Sequence, residues 1–218
     1  MNDELEFTVI SDTHYYSKKN FVDGFDKNKK PKPGQLFFSR SEEIVEHTFA
    51  CLCKNDTPDI VLISGDLTYN GERTSHDEMK AALKKLQQKG KRVYVITATH
   101  DYTTPRMPTY GIDKNDKYIE VESVKRTQLL KYYGDFGYNN AIAKHKSTMS
   151  YVAQLADGYR LFALNDDYGD PDCGFSDELM NWVKTEANNA KRDGQYIIAM
   201  THHPLVPPSP IYAAGGKG

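Results

Sequence analysis

Short uninterrupted apolar runs alternate with stretches of helical periodicity along the chain. FTVIS (7–11), DIVLIS (59–64), RVYVIT (92–97) and YIIAMT (196–201) are apolar runs of the kind a buried parallel strand uses. SRSEEIVEHTFACLCKN (39–55) has helical spacing, with Ile44, Val45, Phe49 and Leu52 on one face and Ser39 and Glu42 at capping-box distance. SHDEMKAALKKLQQKG (75–90) repeats that device with Ser75 and Glu78. It buries Met79, Leu83 and Leu86 and stops at Gly90. SDELMNWVKTEANNAKRDG (176–194) predicts another helix, starting at Ser176 and stopping at Gly194, with Trp182 in its core stripe. Residues 121–133 are read as helical. YVAQL (151–155) and YRLFAL (159–164) flank Ala156-Asp157-Gly158 as a hairpin. The order is βαβαβ, a hairpin, then αβ. It predicts an α/β fold with a mostly parallel sheet and a ligand site at the carboxyl ends of the strands.

Composition narrows the class. The chain has 218 residues, and it shows no internal repeat or interdomain linker, so residues 1–218 are read as a single domain. A net charge of −2 supplies no field to draw the protein to a nucleic-acid polymer or an anionic membrane. The basic run KNKKPKPG (27–34) reads as a solvated loop. Of three cysteines, Cys51 and Cys53 do not face each other on a helix, and Cys173 stands alone in a loop. No run approaches a membrane span. The N-terminus has no signal-peptide pattern, and a secreted chain with its leader removed would read the same way, so the compartment stays open.

The chemistry lies at the strand ends. The first strand ends Ser11-Asp12-Thr13-His14, the second Ser64-Gly65-Asp66, the third Thr99-His100-Asp101 and the last Thr201-His202-His203-Pro204. Four of the seven histidines sit there. Each motif alone is weak, but all four fall at the same end of the predicted sheet, which points to a shared metal site. Carboxylates mixed with imidazoles suit Mn, Fe or Zn better than Ca or Mg. Two such ions clamp both oxygens of an in-line displacement and activate water near neutral pH. Holding them close requires a bridging carboxylate, and Asp66 on the middle strand is the natural candidate.

Together the motifs D-x-H, G-D, a third motif of the G-N-H-D type and H-x-P resemble the calcineurin-like metallophosphoesterase superfamily, in order from Asp12 to Pro204. SGDLTYNGERTSH (64–76) more narrowly resembles bacterial members related to cyclic-nucleotide phosphodiesterases. The resemblance implies a sandwich of two β-sheets flanked by helices and a hydrolase of small phosphate esters: monoesters, diesters or nucleotides. It implies two divalent ions, with Asp12 and His14 on the first, Asp66 bridging, and His202 on the second. His203 falls at the variable position and receives no role. His100 would protonate the leaving group or stabilise the phosphoryl oxygens, with Asp101 orienting its ring.

Two departures qualify this picture. The family's G-N-H-D reads Ala98-Thr99-His100-Asp101 here. Thr99 offers a hydroxyl where an asparagine oxygen normally binds the second ion, and Ala98 lacks the φ freedom of glycine. The family's closing G-H-x-H, which supplies one histidine to each ion, is absent from the sequence. The expectation is therefore a C-terminally truncated domain, holding one ion or none and weakly active, with an uncovered edge that a homodimer would hide. The alternative is an impaired or non-catalytic domain that retains the fold.

Residues around the motifs carry open readings. Tyr15, Tyr16, Tyr69 and Tyr102 either stack on a nucleotide base or pack. Asn70, Glu72 and His76 shape the substrate end of the second loop, or, for His76, lie on a helix surface. Asp166 and Asp167 end the hairpin strand, and Asp166 either supports the site or forms a turn. His47 and His145 are expected away from the site.

Overall fold

The computed structural model describes residues 4–23, 40–54, 56–167 and 174–205. The basic run 27–34, Ser39, Cys173 and the closing IYAAGGKG lie outside the described residues. Strands β1 (Thr8–Ile10), β2 (Ile60–Ser64) and β3 (Arg92–Ile96) pair in parallel in the order β1-β2-β3. All five residues of β2 are buried, as its apolar run requires of a central strand.

The two-residue period then sorts the strands into two cores. Val61, Ile63, Val93 and Val95 face helices α1 (Ser41–Leu52) and α2 (Arg73–Gln88), meeting Val45, Phe49, Met79, Leu83 and Leu86. Ile60, Leu62 and Ile96 face the other way, against a second sheet. That sheet runs β6 (Ala143–His145), β7 (Ser150–Ala156), β8 (Tyr159–Ala163) and β9 (Tyr196–Met200), after a two-residue ribbon of β4 (Gly111–Ile112) and β5 (Tyr118–Ile119). A short helix α3 (Leu129–Tyr133) precedes it. Helix α4 (Asp177–Arg192) covers the outer face, with Ala190 against Val152 and Phe162, and Trp182 half-buried beside them. The layers are helix, sheet, sheet, helix.

Four sequence expectations change. The last strand does not extend the first sheet. β9 pairs in parallel with β8, so His202 arrives from the second sheet. The helix over 121–133 shrinks to α3 and a single 3-10 turn, Arg126–Gln128. Helix α1 begins at Ser41 with Arg40 at the cap and no side-chain capping bond, and Ile44 is half exposed rather than core. Helix α2 begins at Arg73, behind Glu72, so Ser75 is not its cap. Ser75 is buried, and its hydroxyl accepts from the Ser17 N–H and from Asn20 Nδ2. The hydroxyl satisfies the backbone of the loop after β1 instead of its own helix. Ser176, by contrast, caps α4 as expected, accepting from the Leu179 N–H.

Candidate metal centre

The loops after β1 and β2 run side by side past the end of the first sheet. The Asp12, His14 and Tyr15 N–H groups donate to the carbonyls of Gly65, Asp66 and Leu67 at 3.2, 3.0 and 2.9 Å. Within this ladder Asp12, His14 and Asp66 all take positive φ values of 55°, 39° and 53°. Left-handed backbone at non-glycine residues costs on the order of 1–3 kcal/mol each and persists where the surroundings enforce it. Of the five such residues among those described, these three are ones the sequence singles out as ligands. Gly65 has φ +99°, and a Cβ there would lie 2.8 Å from Ala98 Cβ and 3.0 Å from His202 Nδ1. Only glycine lets the second sheet's histidine close onto the first sheet at this point.

The side chains converge on Asp66, which is buried. Its Oδ2 lies 3.6 Å from His14 Nε2 and 3.3 Å from His202 Nε2, and its Oδ1 accepts from the His100 N–H at 3.0 Å. Asp12 Oδ1 is 3.6 Å from the same His14 nitrogen. Two triads result, His14–Asp66–His100 and Asp12–Asp66–His202, and within each the potential ligand atoms all lie within 4.8 Å of one another. Asp66 belongs to both. In these triads Asp12 falls with His202 and His14 with His100, while the 3.6 Å contact keeps Asp12 beside His14 as well.

The outer contacts fix the rings. His202 Nδ1 lies 2.8 Å from the Ser64 carbonyl, and His100 Nδ1 lies 2.6 Å from the Tyr69 carbonyl and 2.8 Å from Asn70 Oδ1. A carbonyl can only accept, so each Nδ1 carries its proton and each Nε2 is left for the site. This is how metal-ligating histidines are usually held. For His202 it sets Nε2 against a carboxylate oxygen at 3.3 Å, a contact satisfied by a proton on the ring or by a cation that both atoms ligate. The donors thus fit a divalent ion in both geometry and chemistry.

The carboxylates draw positive charge strongly to this point. Burial works against charging His202, yet the Asp66 carboxylate, the Ser64 carbonyl and the Asp12 charge hold it up at about 9. Burial opposes the Asp66 charge too, but His202 and His100 hold that carboxyl below the usual range. His14 is pushed down by burial, against the pull of Asp66.

His202, not His203, faces Asp66. His203 turns to the buried Asp166, whose Oδ2 accepts the His203 N–H at 2.8 Å and whose Oδ1 lies 3.3 Å from Nδ1. Asp166 therefore holds the last loop rather than a metal. Asp101 does not orient His100. It is wholly buried, and its carboxylate accepts from the Thr68 and Ala98 N–H groups, both at 2.9 Å, pinning two loops together. Burial and the Asp66 charge push it upward. The ring of His100 is oriented instead by Tyr69 and Asn70. Thr99 is half-buried in the 3-10 turn Thr99–Asp101. Ala98 has φ −140°, extended backbone that does not call for glycine.

Among the tyrosines, Tyr15, Tyr16 and Tyr102 are packed, donating to Glu78, the Tyr110 carbonyl and Asp167. Tyr69 alone is half-buried beside the histidines. His76 is neither at a substrate loop nor on a surface. It is fully buried, with Nδ1 2.6 Å from Tyr133 Oη and Nε2 3.0 Å from the Asp101 carbonyl. Glu72 is buried behind Asn70, whose N–H it accepts at 3.0 Å. Asp167 pairs with Arg126. His47 is exposed on α1, and His145 is buried under α4 beside Trp182.

Residues 5–217 match the calcineurin-like phosphoesterase family, and the chain belongs to it. Its members' shared chemistry is metal-dependent hydrolysis of phosphate esters. The fold is similar to the crystal structure of a dimetal phosphatase from Danio rerio, with 12% identity and a TM-score of 0.61 over 92% of this chain and 70% of that one. No curated protein matches. Among the described residues no helix is long and apolar enough to cross a membrane.

Proposed function

We propose that this chain hydrolyses a small phosphate ester, monoester or diester, at the two triads that share Asp66. The observation that carries the reading is the position of the buried Asp66 carboxylate between His14 and His202, with Asp12 and His100 completing the two sets. When bound, two divalent ions of the Mn, Fe or Zn type supply Lewis-acid charge for the phosphoryl oxygens and acidify an attacking water.

Asp12, His14, Asp66 and His202 would hold the ions, with Asp66 contributing to both sets. The Ser64 carbonyl keeps the His202 ring aimed at its ion. His100, its Nδ1 proton fixed by Tyr69 and Asn70, presents Nε2 to the phosphoryl group. There the doubly protonated ring would donate from Nε2 a hydrogen bond to an oxygen or a proton to the leaving group. Asp101 serves this arrangement by holding the Thr68 and Ala98 backbone.

A domain that keeps the ligands without turnover is the competing reading. It is favoured by the Thr99 hydroxyl at the position where the family resemblance implies an asparagine oxygen. Turnover of p-nitrophenyl phosphate and of its bis ester, with and without Mn²⁺, separates the two. Metal-dependent release of nitrophenol that Asp66→Asn abolishes supports hydrolysis, and none with either ester contradicts it.

A further inference from the structure

From Tyr69 outward a line of rings leads away from the metal centre. The Tyr69 ring centroid lies 6.1 Å from that of His100 and 6.4 Å from that of His14. Tyr110 meets Tyr69 at 5.8 Å with the ring planes 77° apart, and Tyr118 lies 4.1 Å beyond Tyr110 at 37°. Burial falls along the line. Tyr69 and Tyr110 are half-buried, and Tyr118 is 62% exposed. The two inner rings stand nearly perpendicular to each other, forming a corner between the site histidines and the exposed Tyr118.

The corner is held stiffly. Tyr110 Oη donates to Tyr69 Oη at 3.1 Å. The Tyr110 carbonyl accepts from the buried Tyr16 hydroxyl at 2.9 Å. The loop before it is tied to Asn70, whose Nδ2 donates to the Pro108 carbonyl at 3.3 Å and whose carbonyl accepts from the Thr109 hydroxyl. The same Asn70 and the Tyr69 carbonyl hold His100. One short segment thus positions both the histidine that meets the leaving oxygen and the ring beside it. Tyr69 also meets the buried Tyr16 edge-on at 6.0 Å, which anchors the inner end of the row in the core.

We infer that the Tyr69–Tyr110 corner is a subsite for a planar aromatic group carried by the leaving alcohol of the ester. The inference rests on the reading of the centre as a phosphoesterase site. A planar ring placed there stacks on one tyrosine and meets the edge of the other, the two arrangements aromatic pairs favour. Because the corner is already fixed by hydrogen bonds, little ordering is needed on binding.

The test is calorimetric binding to the Mn²⁺-loaded protein of two phosphonates, whose P–C bond hydrolysis does not cleave. Benzylphosphonate carries the ring and methylphosphonate lacks it. The corner predicts that benzylphosphonate binds at least about fivefold more tightly, the lower end of what stacking on an aromatic side chain contributes. In Tyr69→Ala and Tyr110→Ala the two affinities converge. Equal affinities in the wild type, no binding of either phosphonate, or an advantage retained in both variants overturns the inference. Turnover of p-nitrophenyl phosphate is measured beside it. Turnover without a ring preference removes the subsite alone, whereas a ring preference without turnover removes the phosphoesterase reading alone.

Discussion

Asp66 Oδ2 lies 3.3 Å from His202 Nε2, and this contact joins the end of β2 in the first sheet to the end of β9 in the second. The site is therefore a seam between the sheets. Its geometry depends on how closely the seam can shut, which is set at Gly65.

Gly65→Ala tests that closure. The new Cβ would meet Ala98 Cβ at 2.8 Å and the His202 ring at 3.0 Å, on a backbone held at φ +99°. The expected cost is about 1–3 kcal/mol of stability, measured by urea denaturation, together with weaker Mn²⁺ binding as His202 is pushed from Asp66. Stability and metal affinity both equal to the wild type would show that the seam has slack.

Asn70→Ala removes the side chain that accepts the His100 Nδ1 proton at 2.8 Å. Loss of such an orienting partner costs roughly 10–100-fold where it has been removed behind site histidines. A fall of that size in kcat/KM for p-nitrophenyl phosphate is expected, with the circular dichroism unchanged. Asp101→Asn should act differently. It disturbs the loops that Asp101 pins and therefore shows first in thermal stability.

His76 gives the fold a defined acid sensitivity. Burial lowers its pKa from 6.5 to about 4, so the folded chain keeps the ring neutral while the unfolded chain protonates it. Its contribution is complete above pH 6.5 and is lost as the pH falls towards 4, up to about 3 kcal/mol. Glu72 slopes the other way, because burial raises it from 4.5 to about 7 and stability is lost as the pH rises through that window. The two oppose each other in the wild type. In His76→Gln the first slope is gone, so the stability gap between wild type and variant should widen by about 3 kcal/mol from pH 4 to 7. A constant gap would contradict the buried neutral histidine.

Much of this was legible in the sequence because strand ends announce themselves. An apolar run that breaks into Asp-x-His or Gly-Asp places its polar residues at a sheet's carboxyl end, and Asp12, His14, Asp66, His100 and His202 do meet there. The split into two sheets was not legible from periodicity, since β9 reads alike beside β3 or beside β8. Its exposed Tyr196 and Ile197 mark an edge strand only once the neighbours are known. Strand β6 leaves no signal in the sequence because Ala143-Lys144-His145 lacks an apolar run. The resemblance implies that Asp101 orients His100, but in this tight turn its carboxylate points instead to the Thr68 and Ala98 N–H groups. The true partner, Asn70, comes from a loop 30 residues earlier. Its signal was its place four residues after Asp66, too common a pattern to read alone. The positive φ values at Asp12, His14 and Asp66 leave no mark in residue type.

The central claim is that one carboxylate serves both ion sites. Calorimetric titration of Mn²⁺ into the wild type and into Asp66→Asn tests it most directly. The shared carboxylate predicts that every binding event seen in the wild type weakens in the variant by more than about 100-fold, a larger loss than removing an outer contact causes. Survival of one event at wild-type affinity would contradict it, because Asp66 would then belong to a single site.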